Sequence, residues 1–361
     1  LGDVMEGDTK GHGKQNVVDS LKIAMATTLL GTEGIFARCD IASRIDRNGD
    51  EKFTLNTFSR STWNSPDPLV ILYSLYKFAE ACEGYYQFTL TTLMDDTIER
   101  GGTILYTARC AEMRTPEGQK RAADVCRKHG IDGLVVIGGD GSFAGAQKLA
   151  ALGINTVGVP GTIDLDIACT EYTIGFDTAV NTAMEAIDKV RDTSTSHERC
   201  SIIEVMGRNA GYIALWCGIA NGAEDILLPE KYDYDEQKII NNIIENRRKG
   251  KKHHIIVNAE GIGHSTSMAR RIEAATGIET RATILGHMQR GGSPTCKDRV
   301  YASIMGAYAV DLLLEGKTDR VVAYKNGEYV DYDIDEALSM TKTLPEYQWE
   351  IARALSYNYT K

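Results

Sequence analysis

The fold class is indicated first by a ten-residue stretch at residues 133–142, which reads Gly133-Leu134-Val135-Val136-Ile137-Gly138-Gly139-Asp140-Gly141-Ser142. Its apolar half predicts a short buried strand, and its glycine-rich half predicts a tight turn before a helix that begins near Phe143. A strand, a glycine turn and a helix N-terminus together suit phosphate, because backbone N–H groups and the helix dipole face the anion. A tight turn in any doubly wound α/β protein gives the same pattern.

A second strand and turn follow at residues 154–166. The apolar run over 154–160 predicts a buried strand that Pro160 and Gly161 terminate. Asp164 and Asp166 then lie where ligands bind in an open parallel sheet, beyond the carboxyl end of a strand. A hydroxyl beside Asp164 could lose its proton to that carboxylate. From this stretch alone, an aspartate-rich surface turn explains the pattern equally well.

Strand and helix patterns alternate from Leu69 to Leu314, which predicts parallel sheets covered on both faces. The predicted strands also include residues 69–76, 103–109, 200–205, 226–230, 254–259 and 281–285, and the clearest predicted helices cover 115–129, 178–192 and 298–314.

Charged residues lie at or near most of the predicted strands. Basic side chains suit anionic phosphate, and these are Arg199, Arg208, Arg281, His287 and Arg290. Acidic side chains suit a metal ion and a base, and these are Asp140, Asp164 and Asp166. Together these groups are the parts of a phosphoryl-transfer site.

Composition excludes several classes of protein. The chain has 361 residues, enough for two domains, and a net charge of -10, which argues against nucleic acid as a main partner. None of the eight cysteines forms a CxxC pair, so zinc and redox motifs are disfavoured and thiols in a reducing cytoplasm are expected. No membrane-spanning run and no secretory signal is recognisable, so we expect a cytoplasmic protein without a membrane partner.

Four motifs in fixed order resemble the ATP-dependent 6-phosphofructokinases of the bacterial type. They are the turn at 138–142, Gly161-Thr162-Ile163-Asp164, Met206-Gly207-Arg208, and residues 281–299, where Gly286-His287 and Gln289-Arg290-Gly291-Gly292 precede Asp298-Arg299. The resemblance covers about residues 98–359 and implies an α/β fold with two doubly wound parallel-sheet domains (phosphofructokinase-like), after a divergent N-terminal segment. It implies an N-terminal extension over 1–37, a nucleotide-binding domain over 38–175 and 289–339, and a sugar-phosphate-binding domain over 176–288 and 340–361.

The implied reaction is the glycolytic transfer of the γ-phosphate of MgATP to the 1-hydroxyl of fructose 6-phosphate, giving fructose 1,6-bisphosphate and ADP. In this resemblance Asp164 is the general base, and Arg208, Arg109 and Thr162 stabilise the moving phosphoryl group. Mg²⁺ is the implied cofactor, held by Asp140. The implied nucleotide-binding residues are Arg109, Gly138, Gly139, Asp140, Gly141 and Ser142.

The sugar-phosphate site that the resemblance implies combines two copies of the chain. One copy supplies Asp166, Met206, Gly207, Glu260, His287 and Arg290, and a neighbouring subunit supplies Arg199 and Arg281. A homotetramer with shared active sites is therefore implied. The resemblance also implies an allosteric site for ADP or phosphoenolpyruvate that contains Arg191, Glu224, Lys249 and Lys251.

Two features leave alternatives open. Leu165 stands where the family has asparagine, so we expect the flanking aspartates to lose a polar support. No glycine-rich turn for the ATP phosphates is recognisable before Leu69, so a catalytically weak or silent homologue that acts as a sugar-phosphate-binding regulatory subunit is the alternative. A pyrophosphate-dependent kinase is disfavoured, because Gly141 and Gly161 stand where such relatives carry aspartate and lysine.

The N-terminal segment contains one further pattern. Residues 46–57 resemble a calcium-binding loop poorly, because Glu51 and Thr57 occupy the positions of the required glycine and bidentate glutamate. A polar turn is the simpler interpretation.

Overall fold

The computed structural model describes residues 97–103, 107–231 and 235–355. The strand predicted over 69–76, the calcium-like loop and the N-terminal extension lie outside the described residues. The chain folds into two compact units. The first ends at Pro160 and includes Ala302–Ser339, and the second covers Gly161–Tyr301 and continues from Met340. The limits expected from sequence were 175, 288 and 339.

The regular elements are numbered here in chain order. The helices are α1 (Pro116–Lys128), α2 (Asp140–Ala150), α3 (Phe176–His197), α4 (Tyr212–Asn221), α5 (Glu236–Arg248), α6 (Ser265–Thr276), α7 (Cys296–Leu314), α8 (Ile334–Ser339) and α9 (Glu346–Leu355). The strands are β1 (Gly133–Gly138), β2 (Asn155–Pro160), β3 (Cys200–Val205), β4 (Asp225–Leu227), β5 (His254–Ala259), β6 (Thr280–Ile284), β7 (Arg320–Lys325) and β8 (Glu328–Asp333).

The sheet of the first unit has the order β1-β2-β7-β8. Its first three strands are parallel, and β8 pairs with β7 in the antiparallel direction. The hairpin turns at Asn326 and Gly327, whose φ angles of 53° and 86° are those that a type I′ turn requires. An antiparallel edge strand on an otherwise parallel sheet is common in α/β folds.

The sheet of the second unit has the order β4-β5-β3-β6, and all four strands are parallel. Val205 lies opposite Ala259, and Glu204 lies opposite Ile284, so β3, β5 and β6 end side by side. The segments that follow these three strands therefore emerge at one edge of the sheet. We call this the carboxyl edge, and the opposite side the amino edge.

Some helices and strands begin and end where the sequence predicts, and others begin or end at different residues. Strands β3 and β5 have the predicted bounds, whereas the strand predicted over 226–230 is wrong beyond Leu227, where a 3-10 turn at Pro229–Lys231 follows. Helix α2 begins at Asp140 rather than near Phe143, because the carbonyl of Gly139 already accepts the N–H of Phe143 at 3.1 Å. Among the described residues, no helix has both the length and the apolar content needed to cross a membrane.

Candidate active site

Asp164 is a buried carboxylate in the loop after β2, with only 7% of its surface exposed. Burial raises its pKa above the ordinary aspartate value, and the negative charge of Asp166 raises it further. The positive charges of Arg208 and Arg290 oppose this rise, while Glu260 adds to it. A carboxylate with a raised pKa in such a cluster of charges is suited to accept a proton near neutral pH.

The rest of this loop supports Asp164 locally. Thr162 accepts the backbone N–H of Asp164 through its Oγ1 atom at 3.2 Å. Asp166 is half-buried, two residues beyond Asp164, and its charge contributes to the raised pKa of Tyr212, although burial is the main cause there. Asp166 therefore lies close enough to Asp164 for its negative charge to raise the pKa of that carboxyl group.

Arg208 follows β3 at the carboxyl edge, with its Nε atom 4.0 Å from Oδ2 of Asp164. Its side chain is 70% exposed, and its backbone has a left-handed φ of 54°, next to Gly207 with a φ of 139°. Oε1 of Glu260 accepts the N–H groups of Gly207 at 3.2 Å and of Arg208 at 2.5 Å. A side chain at position 207 would collide with the carbonyl of Ala210, so this turn requires glycine.

The 3-10 turn Gly286–Arg290 follows β6 at the same edge. Gln289 is buried, and its Oε1 accepts the N–H of Met206 at 2.7 Å, which links this turn to the segment after β3. His287 and Arg290 are exposed. The Met206 side chain is buried in the core. Gln289 was not predicted as a site residue, although it lies inside the Gln289-Arg290-Gly291-Gly292 motif, and it links the two segments.

Arg199 and Arg281 lie at the amino edge, since Arg199 precedes β3 and Arg281 is the second residue of β6. Both bind the carboxylate of Glu279, with Nε–Oε2 at 2.6 Å for Arg199 and Nε–Oε1 at 2.9 Å for Arg281. A six-residue strand spans roughly 20 Å. Within one chain, this arginine pair is therefore separated from Arg208 and Arg290 by about the length of the sheet.

The glycine turn of the first unit joins β1 to α2. Gly139 is the N-cap residue of α2, and Asp140, Gly141 and Ser142 form its exposed first turn. A Cβ atom added at Gly139 or Gly141 would meet no described atom within 4 Å, so this turn is open. Arg109 is also exposed, in a segment of the same unit that forms neither helix nor strand.

Asp140 is the residue predicted to hold the magnesium ion. The described residues contain no group of three or more His, Cys, Asp or Glu side chains that could hold a metal ion by themselves. Magnesium carried by nucleotide phosphates needs only one or two protein carboxylates, because phosphate oxygens and water complete its octahedron. A single exposed aspartate at a helix N-terminus fits that kind of site.

Three of the four predicted effector residues, Arg191, Glu224 and Lys251, lie close to His253. Glu224 is buried and forms an ion pair with Lys251. Burial lowers the pKa of His253, Glu224 opposes that shift, and Arg191 and Lys251 add to it. His253 was not selected from the sequence. Lys249 instead pairs with Glu245 on α5, with Nζ 2.6 Å from Oε1.

Leu165 lies between the two aspartates of this loop. Its side chain is 6% exposed and belongs to the hydrophobic core of the second unit. Its carbonyl oxygen accepts a hydrogen bond from Nζ of Lys342 at 2.7 Å. The backbone of this loop therefore has a polar partner in Lys342, while the expected loss of a side-chain amide beside the two aspartates stays a prediction.

Comparison with known proteins identifies the family. The family model described as Phosphofructokinase matches residues 72–313. The ATP-dependent 6-phosphofructokinase of Clostridium botulinum (strain Loch Maree / Type A3) is 58% identical over 266 residues, which cover 74% of this chain and 83% of that protein. This chain belongs to the phosphofructokinase family. The ATP-dependent 6-phosphofructokinase of Clostridium tetani (strain Massachusetts / E88) is also 58% identical, over 263 residues.

Solved phosphofructokinase structures confirm the α/β fold. The phosphofructokinase of Saccharomyces cerevisiae is 31% identical with a TM-score of 0.61, and the match covers 72% of this chain but only 38% of the yeast chain. The pyrophosphate-dependent phosphofructokinase of Marinobacter aquaeolei has a TM-score of 0.62 at 21% identity, covering 80% of this chain and 72% of that one, which is a likeness of fold alone.

Proposed function

We propose that this protein is an ATP-dependent 6-phosphofructokinase that transfers the γ-phosphate of ATP to the 1-hydroxyl of fructose 6-phosphate in glycolysis. The observation that carries the proposal is the buried Asp164 carboxylate with the exposed Arg208 guanidinium 4.0 Å away. The names of the relatives at 58% identity support the choice of substrates.

Asp164 acts as the general base. As the 1-hydroxyl oxygen bonds to the γ-phosphorus, its proton moves to the Asp164 carboxylate, and the bond from the γ-phosphorus to the β–γ bridging oxygen breaks to release ADP. The raised pKa makes this carboxylate a stronger base than an ordinary aspartate. Arg208, together with Arg109 and Thr162, stabilises the negative charge on the moving phosphoryl oxygens.

The turn Gly138-Gly139-Asp140-Gly141-Ser142 holds the nucleotide phosphates, because the open positions Gly139 and Gly141 and the helix N-terminus suit anions. Asp140 holds the Mg²⁺ ion, which neutralises charge on the ATP phosphates when it is bound. The absence of a side chain at Gly141 leaves room for a nucleotide, which favours ATP over pyrophosphate as the donor.

The sugar phosphate is held by two copies of the chain. Asp166, Met206, Gly207 and Glu260 contact the sugar, and His287 and Arg290 bind its 6-phosphate. Arg199 and Arg281 complete the phosphate site from a neighbouring subunit, since their own strands place them roughly 20 Å from the carboxyl edge. We propose a cytoplasmic homotetramer with shared sites, which would allow the arginine pair of one copy to complete the phosphate site of another. Its allosteric site contains Arg191, Glu224, Lys249 and Lys251.

A coupled assay with fructose 6-phosphate tests the proposal. ATP with Mg²⁺ should support turnover, whereas pyrophosphate with Mg²⁺ should not. Turnover with pyrophosphate but not with ATP would contradict the choice of ATP as the phosphoryl donor. Binding of fructose 6-phosphate by calorimetry, without turnover with either donor, would instead identify a silent homologue.

A further inference from the structure

Lys342 reaches the loop that carries Asp164 from the segment between α8 and α9. Its Nζ atom donates to the carbonyl oxygens of Leu165 at 2.7 Å, Thr170 at 2.8 Å and Ile167 at 3.3 Å. A lysine ammonium has three N–H donors and no acceptor, so these three carbonyls match its full capacity.

The loop that Lys342 contacts has little regular structure of its own, since residues 161–175 form neither helix nor strand. Leu165 lies between Asp164 and Asp166 with a left-handed φ of 57°. Because the peptide group is planar, a hydrogen bond to the Leu165 carbonyl fixes the orientation of the peptide plane that leads to Asp166. The buried Leu165 side chain anchors the same residue from its other side.

Lys342 stays charged at neutral pH although it is half-buried. Its Nζ atom lies 5.3 Å from the ring centroid of Tyr212. Burial lowers the pKa of Lys342 to about 8, while the negative charges of Asp166 and Glu171 oppose that shift. At pH 7 most molecules therefore carry the ammonium with all three of its donors.

We propose that Lys342 is a positioning residue for phosphoryl transfer, which holds the loop over residues 161–170 so that Asp164 is directed at the substrate hydroxyl. This inference rests on the proposed function. Lys342 binds the backbone of the loop, and it acts on the reaction through Asp164.

The first test compares Lys342→Met with Lys231→Met. Lys231 lies in the same unit and forms an ion pair with Glu346 at 2.5 Å, so it controls for the loss of a lysine near α9. Lys342→Met should lower kcat about 100-fold, because small displacements of a catalytic group have effects of that size. The KM values for fructose 6-phosphate and ATP should stay within about threefold, since the contacts that bind substrate remain. Lys231→Met should behave as the unchanged protein.

A conservative variant gives a second measurement. Lys342→Arg keeps a charged donor, so its kcat should exceed that of Lys342→Met by about tenfold, and it replaces the methionine variant if that protein does not fold. An unchanged kcat in Lys342→Met, or equal kcat values in the methionine and arginine variants, would overturn the proposal.

A double-mutant cycle shows whether Lys342 acts through Asp164. In an Asp164→Asn background, Lys342→Met should lower the residual kcat by less than about threefold, because residues that act as a unit are not additive. A full further loss of about 100-fold in that background would show an independent role and overturn the proposal.

Amide hydrogen exchange tests the loop without any assay of activity. Residues 163–171 should exchange faster in Lys342→Met than in the unchanged protein or in Lys231→Met. If the unchanged protein lacks kinase activity, the proposed function fails whatever the exchange result. If the kinase is active and exchange in this loop is the same in all three proteins, only the role of Lys342 is overturned.

Discussion

The two edges of the second sheet carry different arrangements of charged side chains. At the amino edge, Arg199 and Arg281 share the carboxylate of Glu279. At the carboxyl edge, Arg208 lies 4.0 Å from Asp164, whose pKa is raised by burial and by Asp166. We infer that the two edges serve different tasks: the paired arginines suit anion binding, whereas a buried carboxylate beside an exposed arginine suits proton transfer.

The largest effect is expected at the carboxyl edge. Asp164→Asn should lower turnover by roughly 10²–10⁴, as is typical when a positioned acid–base group is removed. Asp124→Asn is the matched control, because Asp124 pairs with Arg127 on an exposed face of α1. Steady-state kinetics on protein whose fold is checked by circular dichroism make the measurement. Equal turnover in Asp164→Asn and in the control would remove Asp164 from the mechanism.

At the amino edge a change in binding is expected instead. Arg281→Ala should raise the fructose 6-phosphate concentration at half-saturation by roughly 10- to 100-fold, because a hydrogen bond to a charged group contributes about 1.5–3 kcal/mol. Maximal turnover should change little. Arg271→Ala is the control, since Arg271 pairs with Glu236 on the surface of the same unit. The comparison of the two edges fails if Arg281→Ala lowers turnover and leaves half-saturation unchanged.

The pH dependence of kcat/KM should report the charges around Asp164. As a base, Asp164 must be ionised, so activity falls as pH falls through its raised pKa. Asp166→Asn removes a charge that raises this pKa and should move the acid limb to lower pH. Arg208→Met removes a charge that lowers the pKa of Asp164, so it should move the acid limb to higher pH, even if the maximal kcat/KM also falls. Shifts in the same direction would contradict the assignment of the limb to Asp164.

The smallest effect is expected at Leu165. Asparagine tolerates the left-handed backbone, which costs leucine about 1–2 kcal/mol, but it gives up about 1.5–3 kcal/mol of apolar burial. Leu165→Asn should therefore lower the free energy of unfolding by about 1 kcal/mol in urea titration, with turnover within about threefold. A tenfold rise in turnover would show that an amide at this position supports the aspartates after all.

Sequence patterns predict the bounds of two strands of the second sheet. The bounds of β3 and β5 were predicted because short apolar runs end at Met206-Gly207 and at Glu260-Gly261. Once β3, β5 and β6 are parallel, residues after their carboxyl ends must lie at one edge, so the shared edge of Arg208, Glu260 and Arg290 is a consequence of topology.

Other features depend on packing that no local pattern reveals. The burial of Asp164 and the core position of Leu165 depend on the folded second unit. Lys342 is separated from Leu165 by 177 residues and lies between two threonines, with no motif around it. The pairing of Arg199 with Glu279 likewise joins residues 80 positions apart. Only the fold brings these partners together.

Mixed oligomers of Asp164→Asn and Arg281→Ala chains test most directly the claim that the two edges serve one site across two copies. Each variant damages a different edge, so every mixed pair has one intact site, which takes Asp164 from one chain and Arg281 from its neighbour. Equimolar mixing after dissociation should restore about one quarter of the unchanged activity at limiting fructose 6-phosphate, as random pairing across a two-fold interface requires. Activity no higher than the average of the two variants, in oligomers shown by mass spectrometry to contain both chains, would contradict the account.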